Sequence, residues 1–518
     1  MAIRQLQCMA TGEYGTVTIM MNCEQNSWLV FQLCWSLLPT TVLARRMEAE
    51  ALRYEKLAED LRGIIAAGNL QPGERLPSVR RLSRERRLSV STVLQALHQL
   101  EDRGLVEARP QSGYFVRHPG VRRAQPDSRS PPDIPVAVDV SQRLMRVLQA
   151  GVAPGVAPLA AALPASGLLP LASLQRLYAG VVRRHPRLLA GGSHINMDEA
   201  ALVRQLLLRS VAWAGGLAAS EFVITNSCTE ALALCLRAVT SPGDTVAVES
   251  PAYYLMLQLL ESLGLKALEI PTDPGRGLSI EALDLATRDG RVAACLLVPN
   301  ASNPLGSIMP DENKRRLARL AADRGLPVIE DDIYGDLHFG NERPRPIKAF
   351  DGSGQVMLCS SFSKCLSPAL RIGFIAGGRY RSQIALQKTI GSGATNPVTQ
   401  LVLAEYLASG ACERHLRTLR RAYQRQVEAM RAAVARYFPA ETRITEPQGG
   451  FVLWVELPPE IDASARFEQA IAAGVAYVPG ELFSASGMYR NCLRLNCGNP
   501  HSPEIDDAVR RLGDLLSR

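Results

Sequence analysis

Paired metal-binding cysteines are missing from this chain: its eleven cysteines are scattered over 518 residues without a CxxC pair. Most sit inside apolar runs such as Leu234-Cys235-Leu236. That pattern belongs to reduced core thiols, so the expectation is no metal site and a reducing, cytoplasmic compartment. A membrane span is missing too. Residues 28–44 are apolar but short, and Gln32, Ser36 and Pro39 interrupt them. The same stretch lacks the basic start of a secretory leader. No internal repeat is present. Acid is in deficit, since 58 Lys and Arg against 50 Asp and Glu leave a net charge of +8. That excess weakly favours a polyanionic partner and identifies none. What the chain does have is apolar content: 47% of its residues are hydrophobic, enough for one small and one large core.

The most informative stretch is 361–373, Ser-Phe-Ser-Lys-Cys-Leu-Ser-Pro-Ala-Leu-Arg-Ile-Gly, directly after the apolar run Val356-Met357-Leu358. A lysine on a short polar turn beside a buried strand loses its proton easily, because desolvation disfavours the ammonium, and then attacks carbonyls. Ser361, Ser363 and Arg371 are suited to hold a phosphate. Together these are parts of a site for pyridoxal phosphate (PLP), whose aldehyde is bonded by a lysine.

Matching parts lie elsewhere in the chain. Residues 326–334 read as a buried strand ending in acids, with Tyr334 three residues past Asp331. A carboxylate against the pyridine nitrogen keeps it protonated, and a phenol nearby reaches the ring hydroxyl. The strand at 296–298 leads to a turn presenting Asn303. Arg494 lies within the apolar strand 492–496, and its planar guanidinium matches an amino-acid carboxylate. Taken singly, each has an ordinary reading as a strand-end acid or an ion-pair arginine. Their joint occurrence on one chain argues for the site.

From about residue 138 to the C-terminus the chain resembles the fold-type I aminotransferases of class I and II. The resemblance implies Lys364 as the lysine bonded to PLP, Asp331 at the pyridine nitrogen, and Tyr334 with Asn303 at the ring hydroxyl. It implies Ser361, Ser363 and Arg371 around the phosphate, Tyr253 stacked on the ring, and Arg494 at the substrate carboxylate. The stretch 225–232 matches the turn whose following helix cradles phosphate at its N-terminus, which places Cys228 and Thr229 there. The family usually has glycine and then serine or glutamine where this chain has Ser227, Cys228 and Thr229. Residues 191–197 depart from the family's tyrosine-containing motif, so no residue there is assigned. Enzymes of this fold build their sites at a dimer interface, so the resemblance also implies a homodimer.

A second module precedes this one. Leu57, Leu61 and Ile64 share one helical face, and Val93, Leu97 and Leu100 another. Two short alternating runs, 105–108 and 113–116, follow and are joined through Pro110-Gln111-Ser112. The pattern is three helices and a β-wing. Arg75, Arg80, Arg81, Arg84, Arg86 and Arg87 crowd its middle. On a helix-turn-helix those charges fit contacts to DNA phosphates and bases. Residues 72–82 meet the pattern Pro-Gly-x-x-Leu-Pro-Ser-x-Arg-x-Leu, which resembles the GntR-family winged helix-turn-helix. By that match Arg80 contacts double-stranded DNA, with Arg75 beside it. Ser89, Ser91 and Thr92 open the recognition helix, and residues 111–113, with Gly113, form the wing tip. Val90 stands where the family commonly has arginine.

The expected organisation is therefore an N-terminal extension at 1–46 outside the fold, with the natural start at Met47, and a winged helix-turn-helix at 47–118. An extended, mobile linker follows at 119–135, rich in Pro, Ser and Arg. An α/β PLP-binding domain fills 136–518, with a large α/β/α part on a mainly parallel sheet and a small C-terminal α+β part. This architecture resembles the MocR group of regulators. It implies a PLP-dependent transcriptional regulator that senses PLP or an amino compound. The alternative is a working aminotransferase acting on an amino acid. A module that binds an amino compound without PLP is disfavoured by Lys364 and Asp331.

Overall fold

Apolar side chains at helical spacing close a small core in the first module, where Leu57, Leu61, Leu82, Val93, Leu97 and Leu100 are all buried together. The computed structural model describes residues 6–10, 17–23, 27–33, 40–67, 69–70, 74–109, 113–116, 123–151, 153–190 and 199–517. The chain divides into two units, Met1–Pro119 and Gly120–Arg518.

In the first unit three helices, Thr40–Ala66, Val79–Arg86 and Val90–Asp102, precede a hairpin of Val106–Arg109 with Gly113–Val116. Ser78 and Ser89 cap the second and third helices, each accepting from the amide three residues on. These are the bonds a helix N-terminus needs. Arg75 bridges to Phe115, so the segment before the second helix extends the wing. The opening helix starts at Thr40 rather than Met47. No proline interrupts Thr40–Ala66, and Ala, Arg, Met and Glu around Met47 are good helix formers. Upstream, Leu6–Ala10, Val17–Cys23 and Ser27–Leu33 pair as an antiparallel sheet.

In the second unit the chain builds the expected α/β fold. The main sheet runs in the order Gly277–Leu278, Lys266–Asp273, Thr245–Ser250, Val292–Leu297, Val328–Asp331, Val356–Ser361, Gly373–Ala376, Phe222–Thr225. The pairings from Lys266–Asp273 through Val356–Ser361 are parallel, while Gly373–Ala376 is antiparallel to both its neighbours. These strands are buried along almost their whole length, as continuous apolar runs in a parallel sheet must be. A smaller antiparallel sheet orders Arg443–Ile444, Val452–Glu456, Cys492–Asn496 and Val478–Pro479. The helix Ala411–Tyr437 packs beside it and against the terminal helix Pro503–Leu516.

The linker corrects an expectation. Residues 119–122 lie outside the described residues, but 123–129 are docked within the second unit rather than free. Arg123 donates to the carbonyls of Ala435 at 2.7 Å and Pro439 at 2.9 Å, at the end of the long helix. The Ala435 carbonyl, in the last helical turn, lacks a helical partner because Pro439 has no N–H, and it lies at the negative end of the helix dipole, so a cation settles there. The Ile444 amide donates to Ala124 O at 2.9 Å. Arg129 pairs with Glu456, donates to Asn491 at 2.9 Å and lies over the Tyr489 ring. Composition suggested a solvated tether because the acceptors come from residues more than 300 positions away.

Candidate functional site

Strand alternation selects one acid of three at the end of Val328–Asp331. Successive side chains point to opposite faces, so Glu330 and Asp332 share a face that Asp331 does not. Glu330 accepts the amides of Ile347 and Lys348, and Asp332 is bound by Arg343 and Asn300. Asp331 alone of the three lines the cavity that also holds Lys364. Burial pushes its carboxyl up to about 6, against hydrogen bonds from Cys228 and the Ile333 amide.

The same cavity gathers side chains from the carboxyl ends of the parallel strands, where α/β sheets place their ligands. Its wall includes Lys364, Ser361 and Ser363 after one strand, and Asp331 and Tyr334 after the next. Asn303, Tyr253, Cys228, Thr229 and Arg371 complete the expected set. Burial pushes the Lys364 amine down to about 8, helped by the nearby Arg494 cation and opposed by Asp331. Its Nζ donates to Ala162 O at 2.7 Å. Burial also raises the Tyr253 and Tyr334 phenols, so both remain protonated donors.

The phosphate end follows from one close approach. A Cβ on Gly373 would lie 2.6 Å from the Ser227 carbonyl carbon, so only glycine lets this strand pass the Ser227 turn. The approach sets the Arg371 turn, with φ of 50°, beside the start of the Cys228–Val239 helix. Ser227 caps that helix by accepting from Glu230 N at 3.0 Å. The amides of Cys228 and Thr229 are then the first-turn donors without a helical partner, pointed for an anion.

Two groups in this region have unmet needs. Asn303 is buried, yet among the described residues neither its amide oxygen nor its nitrogen has a hydrogen-bond partner. Arg494 is fully buried; its Nη2 donates to Ala160 O, and its Nε and Nη1 have no acceptor among the described residues. A buried guanidinium with open donors is costly unless an anion meets it. These orphans, the lysine and the carboxylate fit PLP with an amino acid's carboxylate alongside. Arg494 is set just outside the cavity wall, against the rings of Tyr254 and Phe483.

In the first unit Arg80, Arg75, Ser89 and Ser91 are exposed. Arg81 and Arg86 are held in ion pairs with Glu85 and Asp60, whereas Arg80 has no acidic partner among the described residues. Gly113, at φ of 101°, lies over the Arg75 guanidinium. Thr92 departs from expectation. It is 5% exposed, and its hydroxyl is shared with Ser89 at 2.7 Å, so it completes the cap inside the module instead of facing DNA. Gln111, Ser112 and residues 191–197 lie outside the described residues.

Residues 199–512 match the family model described as aminotransferase class I and II. The chain belongs to that family. Residues 53–116 match the bacterial regulatory proteins of the gntR family, so a winged-helix module precedes the aminotransferase domain. The uncharacterized HTH-type transcriptional regulator YjiR of Escherichia coli is 38% identical over 467 residues, 90% of this chain and 99% of the relative. The multiple substrate aminotransferase of Thermococcus profundus superposes with a TM-score of 0.67 at 28% identity, covering 72% of this chain and 94% of that one. The alpha-aminoadipate aminotransferase LysN of Thermus thermophilus, complexed with N-(5'-phosphopyridoxyl)-L-leucine, gives 0.66 at 30% identity over 72% and 94%. The cofactor of this architecture is PLP.

Four contributions to the aminotransferase-like site went unread in the sequence. The carbonyls of Ala160 and Ala162 receive Arg494 and Lys364, and a backbone acceptor leaves no signal in residue type. Tyr254 beside Arg494 was legible in principle, as the second of two adjacent tyrosines after a strand. The Cys228 thiol points to Asp331, which chain order alone does not disclose.

Proposed function

We propose that this protein is a transcriptional regulator that binds operator DNA through its winged helix. In this reading PLP, with or without an amino compound, is sensed in the aminotransferase-like domain. The observation that carries it is the pairing of two complete devices on one chain. One is an exposed face whose Arg80 has no acidic partner among the described residues; the other is a cavity uniting Lys364, Asp331, Asn303 and Tyr334. The relative YjiR, similar over nearly its whole length, bears a regulator's name.

PLP, when bound, supplies an aldehyde and an electron-withdrawing ring. The chain's own residues hold it. The Lys364 amine is mostly neutral above about pH 8 and is the nucleophile for that aldehyde. Asp331 holds the proton at the pyridine nitrogen, Asn303 and Tyr334 meet the ring hydroxyl, and Tyr253 covers the ring face. Ser361, Ser363, Arg371 and the first amides of the Cys228–Val239 helix take the phosphate. Arg494 offers its open donors to a carboxylate, so the amino compound is an amino acid. The protein acts as a homodimer in the cytoplasm. The alternative, a working aminotransferase, is favoured by one observation: Lys364, the group that would carry the proton, lines the same cavity as Asp331.

The test uses full-length protein in two arms. Protein loaded with PLP, reduced with borohydride and peptide-mapped should carry the pyridoxyl group on Lys364; another lysine would refute the site. Selection from a random duplex pool should enrich a two-fold sequence, and a pool left unenriched would refute the regulator.

A further inference from the structure

Asp331 has one oxygen already committed. Its Oδ1 accepts the Ile333 amide at 3.0 Å and the Cys228 thiol at 3.2 Å, while Oδ2 has no protein donor among the described residues. Both partners are fixed by the fold. Ile333 follows two residues on in the same turn. Cys228 is 4% exposed and is the first residue of the helix Cys228–Val239, locked by the Ser227 cap and the Gly373 approach.

A thiol has one proton to donate. Given to Asp331, it is not available to a phosphate, so the Cys228 side chain serves the carboxylate. Its backbone amide remains for the phosphate. We infer that Cys228 is a positioning residue for Asp331, its S–H and the Ile333 N–H pinning Oδ1 so that Oδ2 alone meets the pyridine nitrogen of the cofactor. This rests on the PLP reading of the cavity. The arrangement does two things. It fixes the carboxylate's rotation about its terminal bond, and it stabilises the charged form of a carboxylate that burial would otherwise neutralise. The Cys228 thiol itself stays protonated, since burial and the adjacent Asp331 charge both raise it. It therefore remains a donor across the working pH range.

The functional test compares Cys228→Ala with Cys228→Ser in full-length protein. The alanine variant should bind PLP roughly 3- to 10-fold more weakly, the scale of one hydrogen bond from a weak donor. The pH midpoint of its visible absorbance should also shift from that of the parent protein. The serine variant keeps a donor and should restore both. Equal behaviour of the two variants, or no change in either, would overturn the inference. A second measurement needs no cofactor. The Cys228 S–H stretching band, identified by its loss in Cys228→Ser apo protein, should move to higher frequency in Asp331→Ala, where the acceptor is gone. An unmoved band sinks the contact. Parent protein that takes up no PLP while the band does move would refute the cofactor reading and leave the thiol–carboxylate contact standing.

Discussion

At the residue scale the account turns on Lys364. Its amine titrates near pH 8, against about 10.4 for an ordinary lysine. Capture of PLP by the apo protein should therefore accelerate as pH rises and level off above about 8. Stopped-flow absorbance gives this directly, and a rate still climbing towards the ordinary lysine value would contradict the burial argument. The sign for stability follows from the same shift: the unfolded chain holds the proton longer, so stability rises with pH between the folded and unfolded values. Lys364→Ala should lose the covalent link and keep its circular dichroism. Most of this site was legible in the chain alone, because each residue follows an apolar run that had to be a buried strand. Asp331 is the clearest case, read from its place at the end of an apolar run, three residues before Tyr334. The Ala160 and Ala162 carbonyls and the Cys228 contact were not legible, since they depend on how distant segments meet.

At the element scale the wing, the capped helices and the alternating strands all follow from local pattern. Their caps are Ser78 and Ser89, and Thr92 differs only because its hydroxyl serves the cap. Arg80→Ala should weaken operator binding by about 1–3 kcal/mol if the guanidinium reads a base, and a salt titration separates this from phosphate contact. Unchanged affinity at low and moderate salt would remove Arg80 from the interface. The docked linker is the element the sequence concealed. Pro, Ser and Arg suggest a free tether, yet two of its arginines find carbonyls, an acid and a ring on the small subdomain. The contact leads inward. Tyr489, beneath Arg129, shares a hydrogen bond with Ser250 at 2.9 Å, and Ser250 opens the turn that ends at Tyr253 on the cavity wall. Trypsin should cut slowly after Arg123 and Arg129 in the intact protein. Arg129→Ala should speed cleavage after Arg123 and diminish the effect of PLP on DNA affinity; an unaltered response to PLP would dissociate the docked linker from signalling.

At the scale of the whole molecule, two modules of different chemistry share one chain, and the motif sets of both were readable because each is carried by local sequence. How one module informs the other is not written locally. A ligand shifts the DNA-binding equilibrium only by as much as it binds two conformations differently. In a homodimer two heads should prefer paired half-sites, and a duplex with one half-site should bind much more weakly. The central claim is the coupling itself. The deciding measurement is a titration of operator duplex against full-length protein at fixed salt in three states: apo, PLP-loaded, and PLP-loaded with an amino acid. The account predicts that affinity differs between states by roughly 5- to 150-fold, the usual range for allosteric coupling, and that Lys364→Ala alters the response. Superimposable curves in all three states, together with rapid transamination of the amino acid, would contradict it and leave an aminotransferase.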